Sequence, residues 1–149
     1  MPRPHDAGSP TAPSATPLRA PPVPHPCLSC GACCAHFRIS LHWSEAAPDL
    51  GGVVPLALTE PYGRHQRAMA GTGTATPRCT ALQGEIGFDA NCSIYVQRPQ
   101  TCRDLSAAWE LGQPSPQCDR ARAAHGLPPL TPLDWPAPVI EDHLLPQHA

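Results

Sequence analysis

A small, irregular α+β domain between two Pro-rich, disordered tails is the fold that the sequence predicts. Three observations lead to it. The length of 149 residues suits a single domain. The 22 prolines are too many for a wholly globular chain, and nine of them fall in residues 1–26. From Cys27 to Leu130, Leu, Ile, Val and Phe make up only 18 of 104 residues, which is less than the roughly 20% at which chains begin to look unable to fold.

These observations divide the chain into a tail at 1–26, a folded domain at 27–130 and a second Pro-rich tail at 131–149. Within the second tail, the apolar residues between 139 and 145 predict a short docking helix. The folded domain has little apolar surface to bury, so we expect it to gain stability from another source.

Charge and hydropathy exclude several classes of partner. The formal net charge is −2, which implies neither a nucleic-acid nor a membrane partner. No run of about 18 apolar residues is present, as a membrane span would require. Residues 1–26 lack the continuous apolar stretch of a secretory signal, so we expect a cytoplasmic protein.

The stretch from Cys27 to Cys34 reads CLSCGACC and holds four cysteines in eight residues. Two residues between cysteines allow a tight turn that aims both sulfurs at one ion, and Gly31 can adopt positive φ in such a turn. Three cysteines at this interval suit an iron–sulfur cluster as well as zinc. Because adjacent side chains diverge, Cys33 and Cys34 are expected to serve different sites.

Apolar and polar residues alternate over 37–43, which predicts a half-buried β-strand beginning just after the cysteine cluster. Residues 58–70 are expected to hold a short helix that is interrupted near Pro61. A Gly-rich turn then separates residues 79–82 from residues 88–96. This pattern predicts a β-hairpin that brings two further cysteines towards one end of the pair.

Two short helices are predicted in the second half of the domain. Pro99 fits the first position of a helix that carries Cys102 and continues to Leu105. The second helix has Ser115 as its N-cap and Pro116 as its first residue, and Gly126 is expected to terminate it. Its Cys118 and Ala121 share one face, with Arg122 beside them.

Further motifs join the cluster to produce a recognisable pattern. They are Arg78-Cys79, Ile86-Gly87, Cys92, Ile94-Tyr95, Arg98-Pro99-x-x-Cys102-Arg103, Cys118-Asp119-x-Ala121-Arg122 and His125-Gly126-Leu127. This pattern resembles the YkgJ-like cysteine-cluster family, which is named for its CxxCxxCC motif and described as zinc- or iron-chelating. The resemblance runs from Cys27 to about Leu130, and departs at Leu105, where the family usually has an aromatic residue.

The resemblance implies that all eight cysteines chelate metal. These ligands are Cys27, Cys30, Cys33, Cys34, Cys79, Cys92, Cys102 and Cys118. Alternatives stay open: the first four could form a redox-active thiol cluster, each of the last four could be a small buried hydrophobe, and an even number of cysteines also permits disulfides. His36 could ligate a metal, but is better explained as a surface or hydrogen-bonded residue. Arg78 and Arg103 directly flank cysteines. They either stabilise anionic thiolates from behind the metal ligands or are solvated surface residues.

The expected cofactor is an iron–sulfur cluster or Zn²⁺, and the expected partners are metal ions with an unidentified protein. The scattered spacing of the later cysteines favours the cluster, because its irons accept sulfurs from different directions. The CxxCxxC step would then supply up to three ligands of the cluster. A distant cysteine would supply a further ligand, and Cys102 is the preferred candidate. The predicted function is a binding or electron-transfer module. A similar cysteine cluster is associated with flagellin lysine methylases, so a component of a protein-modifying enzyme is an alternative, as is a thiol redox switch.

Overall fold

The computed structural model describes residues 25–136. Its secondary structure consists of three short α-helices and five short strands, joined by turns and 3₁₀ segments. The helices are α1 (Cys27–Cys30), α2 (Gln100–Asp104) and α3 (Pro116–Ala124), and the strands are β1 (Ser40–His42), β2 (Thr59–Pro61), β3 (Gln66–Met69), β4 (Leu82–Gln83) and β5 (Asn91–Cys92). The fold is therefore a small α+β domain, as the sequence predicts.

The strands form two separate antiparallel sheets. The larger sheet has the order β1-β3-β2, with Ser40 opposite Ala68 and Thr59 opposite Met69. The smaller sheet pairs β4 with β5 and places Leu82 opposite Cys92. The predicted hairpin is thus present, although each of its strands is only two residues long.

The strand predicted over 37–43 is confirmed in its centre, where β1 follows the cysteine cluster. Ile39 and Leu41 are buried in the core, as the alternation requires. The strand ends early because Trp43 begins a 3₁₀ turn. At this turn the Glu45 carboxylate accepts the His42 N–H at 3.1 Å, which caps the turn and stops the strand from continuing.

The prediction of a short helix over residues 58–70 is wrong. This segment contains β2 and β3, which reverse direction at Gly63 with φ +86°. The Arg67 Nε donates to Thr59 Oγ1 at 2.6 Å and links the two strands. On its other side, β3 pairs with β1, and this pairing satisfies the remaining hydrogen-bonding groups of its backbone. The contact is distant in sequence, so local propensity does not reveal it.

Both predicted helices of the second half are present. In α3, Ser115 Oγ accepts the Cys118 N–H, and Gly126 has φ +69° just beyond the helix, so the predicted boundaries hold. In α2 the boundaries move inwards by one residue. Pro99 is the N-cap rather than the first helical residue, and Leu105 lies just past the end.

The core consists of two clusters of small size. The main cluster surrounds Met69, Leu41 and Val54, and the second contains Ala107, Ala108, Cys118 and Leu130, with Trp109 and Trp135 packed against it. None of the helices within residues 25–136 is long and apolar enough to cross a membrane.

Specific contacts extend the folded region beyond both predicted boundaries. At the C-terminal end, Trp135 Nε1 donates to the Ala108 carbonyl at 2.9 Å. At the N-terminal end, His25 Nε2 lies 3.0 Å from Glu110 Oε1, and its ring packs edge-on against Trp135. The remainder of both predicted tails, with the docking helix expected between 139 and 145, lies outside the described residues.

Candidate metal centre

Seven of the eight cysteines line one cavity of about 580 Å³ between α1, α2, α3 and β5. The seven are Cys27, Cys30, Cys33, Cys34, Cys92, Cys102 and Cys118. The eighth, Cys79, is buried in the main core, against which Cys34, Cys92 and Cys102 pack. The structure therefore brings the isolated cysteines of the second half to the CxxCxxCC stretch.

The turn after α1 depends on Gly31, which has φ +68° and ends the helix. A Cβ at this position would lie 2.6 Å from Ala90 Cβ and 3.1 Å from Leu82 Cδ1. Glycine is thus needed both for the backbone conformation and for close packing on the small hairpin. After this turn the chain enters the 3₁₀ segment Cys33–Ala35, and all four cysteines of the stretch line the cavity.

A first group of thiols comprises Cys27, Cys30, Cys33 and Cys118. Helix α3 brings Cys118 to the cluster by packing on the 3₁₀ segment, where His125 Nε2 lies 3.1 Å from the Ala35 carbonyl. Burial, together with the neighbouring Cys30 and Cys118 thiols, raises the pKa of the Cys27 thiol to about 12. Burial and then the proximity of Cys118 also raise the pKa of Cys33.

Cys27 lines the cavity although the residue as a whole is exposed.

A second group comprises Cys34, Cys79, Cys92 and Cys102. The Cys79 N–H donates to the Cys34 carbonyl at 2.8 Å, and Thr101 Oγ1 of α2 donates to the Ser40 carbonyl of β1 at 2.6 Å. Burial raises the pKa values of Cys34 and Cys102 to about 12. For both thiols the next causes are members of the same group.

All eight cysteines carry free thiols. Among residues 25–136, no three His, Cys, Asp or Glu side chains converge closely enough to form a single-ion site. The thiols instead surround a volume. Because those with raised pKa values are protonated at neutral pH, a bound metal must displace their protons.

Two arginines other than Arg78 and Arg103 lie close to the thiols. Arg122 of α3 donates from Nη1 to Cys30 Sγ at 3.1 Å, while its Nε donates to the Pro128 carbonyl at 2.7 Å. Arg98 lines the cavity and lies over the Tyr95 ring, with its guanidinium carbon 3.8 Å from the ring centroid. The sequence analysis places Arg122 beside Cys118 on α3, and the structure adds its hydrogen bond to Cys30.

The two predicted arginines donate to backbone carbonyls, and Arg103 also lines the cavity. Their support of anionic thiolates stays a prediction. Arg78 donates to the Gly84 carbonyl at 2.8 Å. Arg103 donates to the Arg98 and Val96 carbonyls, and so braces the turn before α2. The His36 ring packs edge-on against Phe37, which agrees with a non-ligand role.

Cys102 and Cys118 both line the cavity with the CxxCxxC step, so the expectation that Cys102 supplies the distant ligand stays a prediction. Besides burial, the Cys118 thiol raises the pKa values of Cys27 and Cys33. Cys102 lies with Cys34, Cys79 and Cys92. Helix α3 packs on the 3₁₀ segment, while α2 packs on β1.

Comparisons with known proteins agree with this site. "Uncharacterized protein YkgJ" from Escherichia coli O157:H7 is 48% identical over 106 residues, which cover 71% of this chain and 96% of that protein. A "Putative ferredoxin" from Acinetobacter calcoaceticus is 45% identical over 121 residues, covering 81% of this chain and 90% of that protein. No solved structure matches the chain. The model of one family, described as "Putative zinc- or iron-chelating domain", matches residues 26–119, and this chain therefore belongs to that CxxCxxCC family.

Proposed function

We propose that the chain is an electron-transfer protein that holds an iron–sulfur cluster on the cysteines of its cavity. The observation that carries the proposal is the convergence of seven thiols on one volume of about 580 Å³. Such a volume lies within the range of sites that bind small molecules and cofactors. A single metal ion with four ligands needs far less space.

The donor set fits the cluster. Thiolate sulfur is the usual protein ligand of iron–sulfur clusters, and three cysteines at two-residue intervals occur in bacterial ferredoxins. Four thiolates around one zinc ion would lie roughly 3.8 Å apart, as its Zn–S bonds of about 2.3 Å and tetrahedral angles require. The thiols of the described residues do not form so tight a set, which supports the larger group.

The surroundings of the thiols suit a redox centre. The partly buried Arg122–Cys30 contact supplies a cation and an N–H donor next to a ligand sulfur, and such contacts tune reduction potentials. A cluster bound here would accept and release one electron. The name of the Acinetobacter relative, "Putative ferredoxin", supports the same function. The free thiols suit the reducing cytosol, where we place the protein.

Zinc binding is the second candidate, favoured by the family's description as a zinc- or iron-chelating domain and by thiolate sulfur being a common zinc ligand. Zinc would supply folding stability without electron transfer, since it has no redox chemistry of its own.

Anaerobic purification from cells supplied with iron distinguishes the two candidates. The expected product is coloured, absorbs near 400 nm, bleaches on reduction and contains iron with acid-labile sulfide. Cys30→Ser should remove the colour, and Ser29→Ala, an exposed change in the same helix, should keep it. A colourless protein with stoichiometric zinc would refute the proposal.

A further inference from the structure

We propose that Arg98 donates a hydrogen bond from its Nε to a sulfur of the iron–sulfur cluster in the cavity, and that this contact raises the reduction potential of the cluster. The inference rests on the proposed function and deepens it, because it names a side chain through which the protein sets that potential. It does not depend on which of the cysteines serve as ligands.

The Arg98 guanidinium has a buried donor without an acceptor. Its Nε is buried and makes no hydrogen bond within residues 25–136, although Arg98 lines the same cavity of about 580 Å³ as the cysteines. A buried N–H group that lacks an acceptor costs stability, and a charged donor costs more than a neutral one. An anionic acceptor bound in the cavity would remove that cost.

The two other arginines of the cavity wall already have acceptors. Arg38 donates to the Tyr62 hydroxyl at 2.9 Å. Arg103 donates to the Arg98 carbonyl at 3.1 Å and to the Val96 carbonyl at 2.7 Å. Their guanidinium groups are therefore held by the protein, whereas the Nε of Arg98 has no such partner in the described part of the chain.

The carboxylates around Arg98 are engaged elsewhere. In the cavity wall, Asp104 accepts from a side chain of its own helix α2 at 2.6 Å, and Glu110 pairs with His25 at 3.0 Å. Arg98 also borders a smaller cavity of about 150 Å³, where Glu45 uses both oxygens to accept backbone N–H groups. Within residues 25–136, none of these carboxylates forms an ion pair with Arg98. We therefore expect its acceptor to come from the occupant of the main cavity.

The Arg98 side chain is fixed at both ends. Its guanidinium carbon lies 3.8 Å from the centroid of the Tyr95 ring, a cation–π contact. Its own carbonyl accepts from Arg103, and the next residue, Pro99, is fully buried and accepts the Cys102 N–H at 3.0 Å. A donor that is held in place before its acceptor binds loses little conformational freedom on binding.

The sign of the effect follows from charge. Reduction potentials of iron–sulfur clusters depend on net charge and on hydrogen bonds to the sulfurs. One-electron reduction adds negative charge, so a positively charged donor stabilises the reduced form more than the oxidised form. Loss of the Arg98 contact is therefore expected to lower the midpoint potential.

Redox titration of the full chain, purified anaerobically, tests the inference. Arg98→Gln should lower the midpoint potential and shift the visible absorption. Arg98→Lys keeps the charge but lacks the Nε donor, so its potential should lie between those of Arg98→Gln and the wild type. Arg64→Gln removes the same charge from an exposed position outside the cavity wall and should leave the potential unchanged. A wild-type potential in either Arg98 variant would overturn the inference.

Pulsed EPR keeps the test decisive if the Arg98 variants assemble no cluster. In the reduced protein labelled with nitrogen-15 arginine, the cluster spin should couple to an arginine nitrogen. The coupling should persist in Arg122→Gln, which removes the arginine that donates to Cys30, and its absence there would overturn the inference. Iron and sulfide analysis of the wild type separates the two possible failures. A protein without either refutes the proposed function and this inference together, whereas a cluster that is insensitive to Arg98 refutes the inference alone.

Discussion

Substitution of Gly31 by alanine should destabilise the metal-loaded protein considerably more than the same substitution at Gly112. Both glycines have positive φ, +68° at Gly31 and +73° at Gly112. The left-handed conformation therefore costs either alanine about 1–2 kcal/mol. The gain from a less flexible unfolded chain is the same at both positions and cancels in the comparison.

The difference comes from the space around the new methyl group. At Gly31 it would lie 2.6 Å from Ala90 Cβ, whereas nothing lies within 4 Å at Gly112. Forcing an extra carbon into a packed site costs about 1–3 kcal/mol. We therefore expect Gly31→Ala to lose about 2–5 kcal/mol in total, and Gly112→Ala only the conformational part.

Urea unfolding at a fixed free-metal concentration, followed by tryptophan fluorescence, provides the comparison. Metal content should be measured on the same samples, because displacement of the turn after α1 moves Cys30 and Cys33 relative to the other thiols. Equal midpoints for the two variants, with full metal content in both, would show that the close packing of Gly31 on the small hairpin does not position the site.

Three further predictions concern metal, protons and the N-terminal tail. Removal of the metal by a chelator should abolish most of the circular dichroism signal, because the core is thin; an unchanged spectrum and melt would contradict this. Metal uptake should release protons, and the affinity for metal should rise with pH, because burial raises the pKa of thiols such as Cys34 and Cys102 to about 12. Calorimetry in buffers of different ionisation enthalpy measures the proton release. Metal binding that does not depend on pH would contradict the prediction. Deletion of residues 1–24 should leave metal content and Tm unchanged. Deletion of residues 1–26 also removes the contacts of His25 with Glu110 and Trp135, and it should lower Tm. Equal Tm values for the two truncated chains would show that His25 does not stabilise the domain.

Local signals explain what the sequence could predict of the fold. Helix α3 has a side-chain N-cap at Ser115, a proline at its first position and a glycine just beyond its end, so its boundaries depend on a few adjacent residues. Strand β3 depends instead on two partners that are distant in sequence, and its residues were expected to be helical. The small hairpin lies between these cases, because its glycines mark the turn but do not fix the length of the strands.

The same distinction applies to the site. Spacing within CLSCGACC indicates metal binding and separates Cys33 from Cys34, since both inferences concern adjacent residues. The assignment of Cys118 to the first group needs the packing of α3 on the 3₁₀ segment, which no spacing reveals. For the arginines, the sequence places Arg78 and Arg103 beside cysteines, but the direct hydrogen bond to a thiol comes from Arg122, which donates to Cys30.

The composition of the core connects the metal centre to folding. Among the eighteen apolar residues that are buried within residues 25–136, nine are alanines and two are the cysteines Cys79 and Cys118. Alanine buries little apolar area, so hydrophobic burial supplies less stability here than in a core of the same number of larger residues. Small side chains are nevertheless what allow α1, α3 and the hairpin to approach one cavity closely, as Ala90 does beneath Gly31. We expect metal–thiolate bonding, which contributes about 10–16 kcal/mol in structural zinc sites, to supply the stability that these alanines do not. The residues that make room for a metal centre would thereby make the fold depend on it.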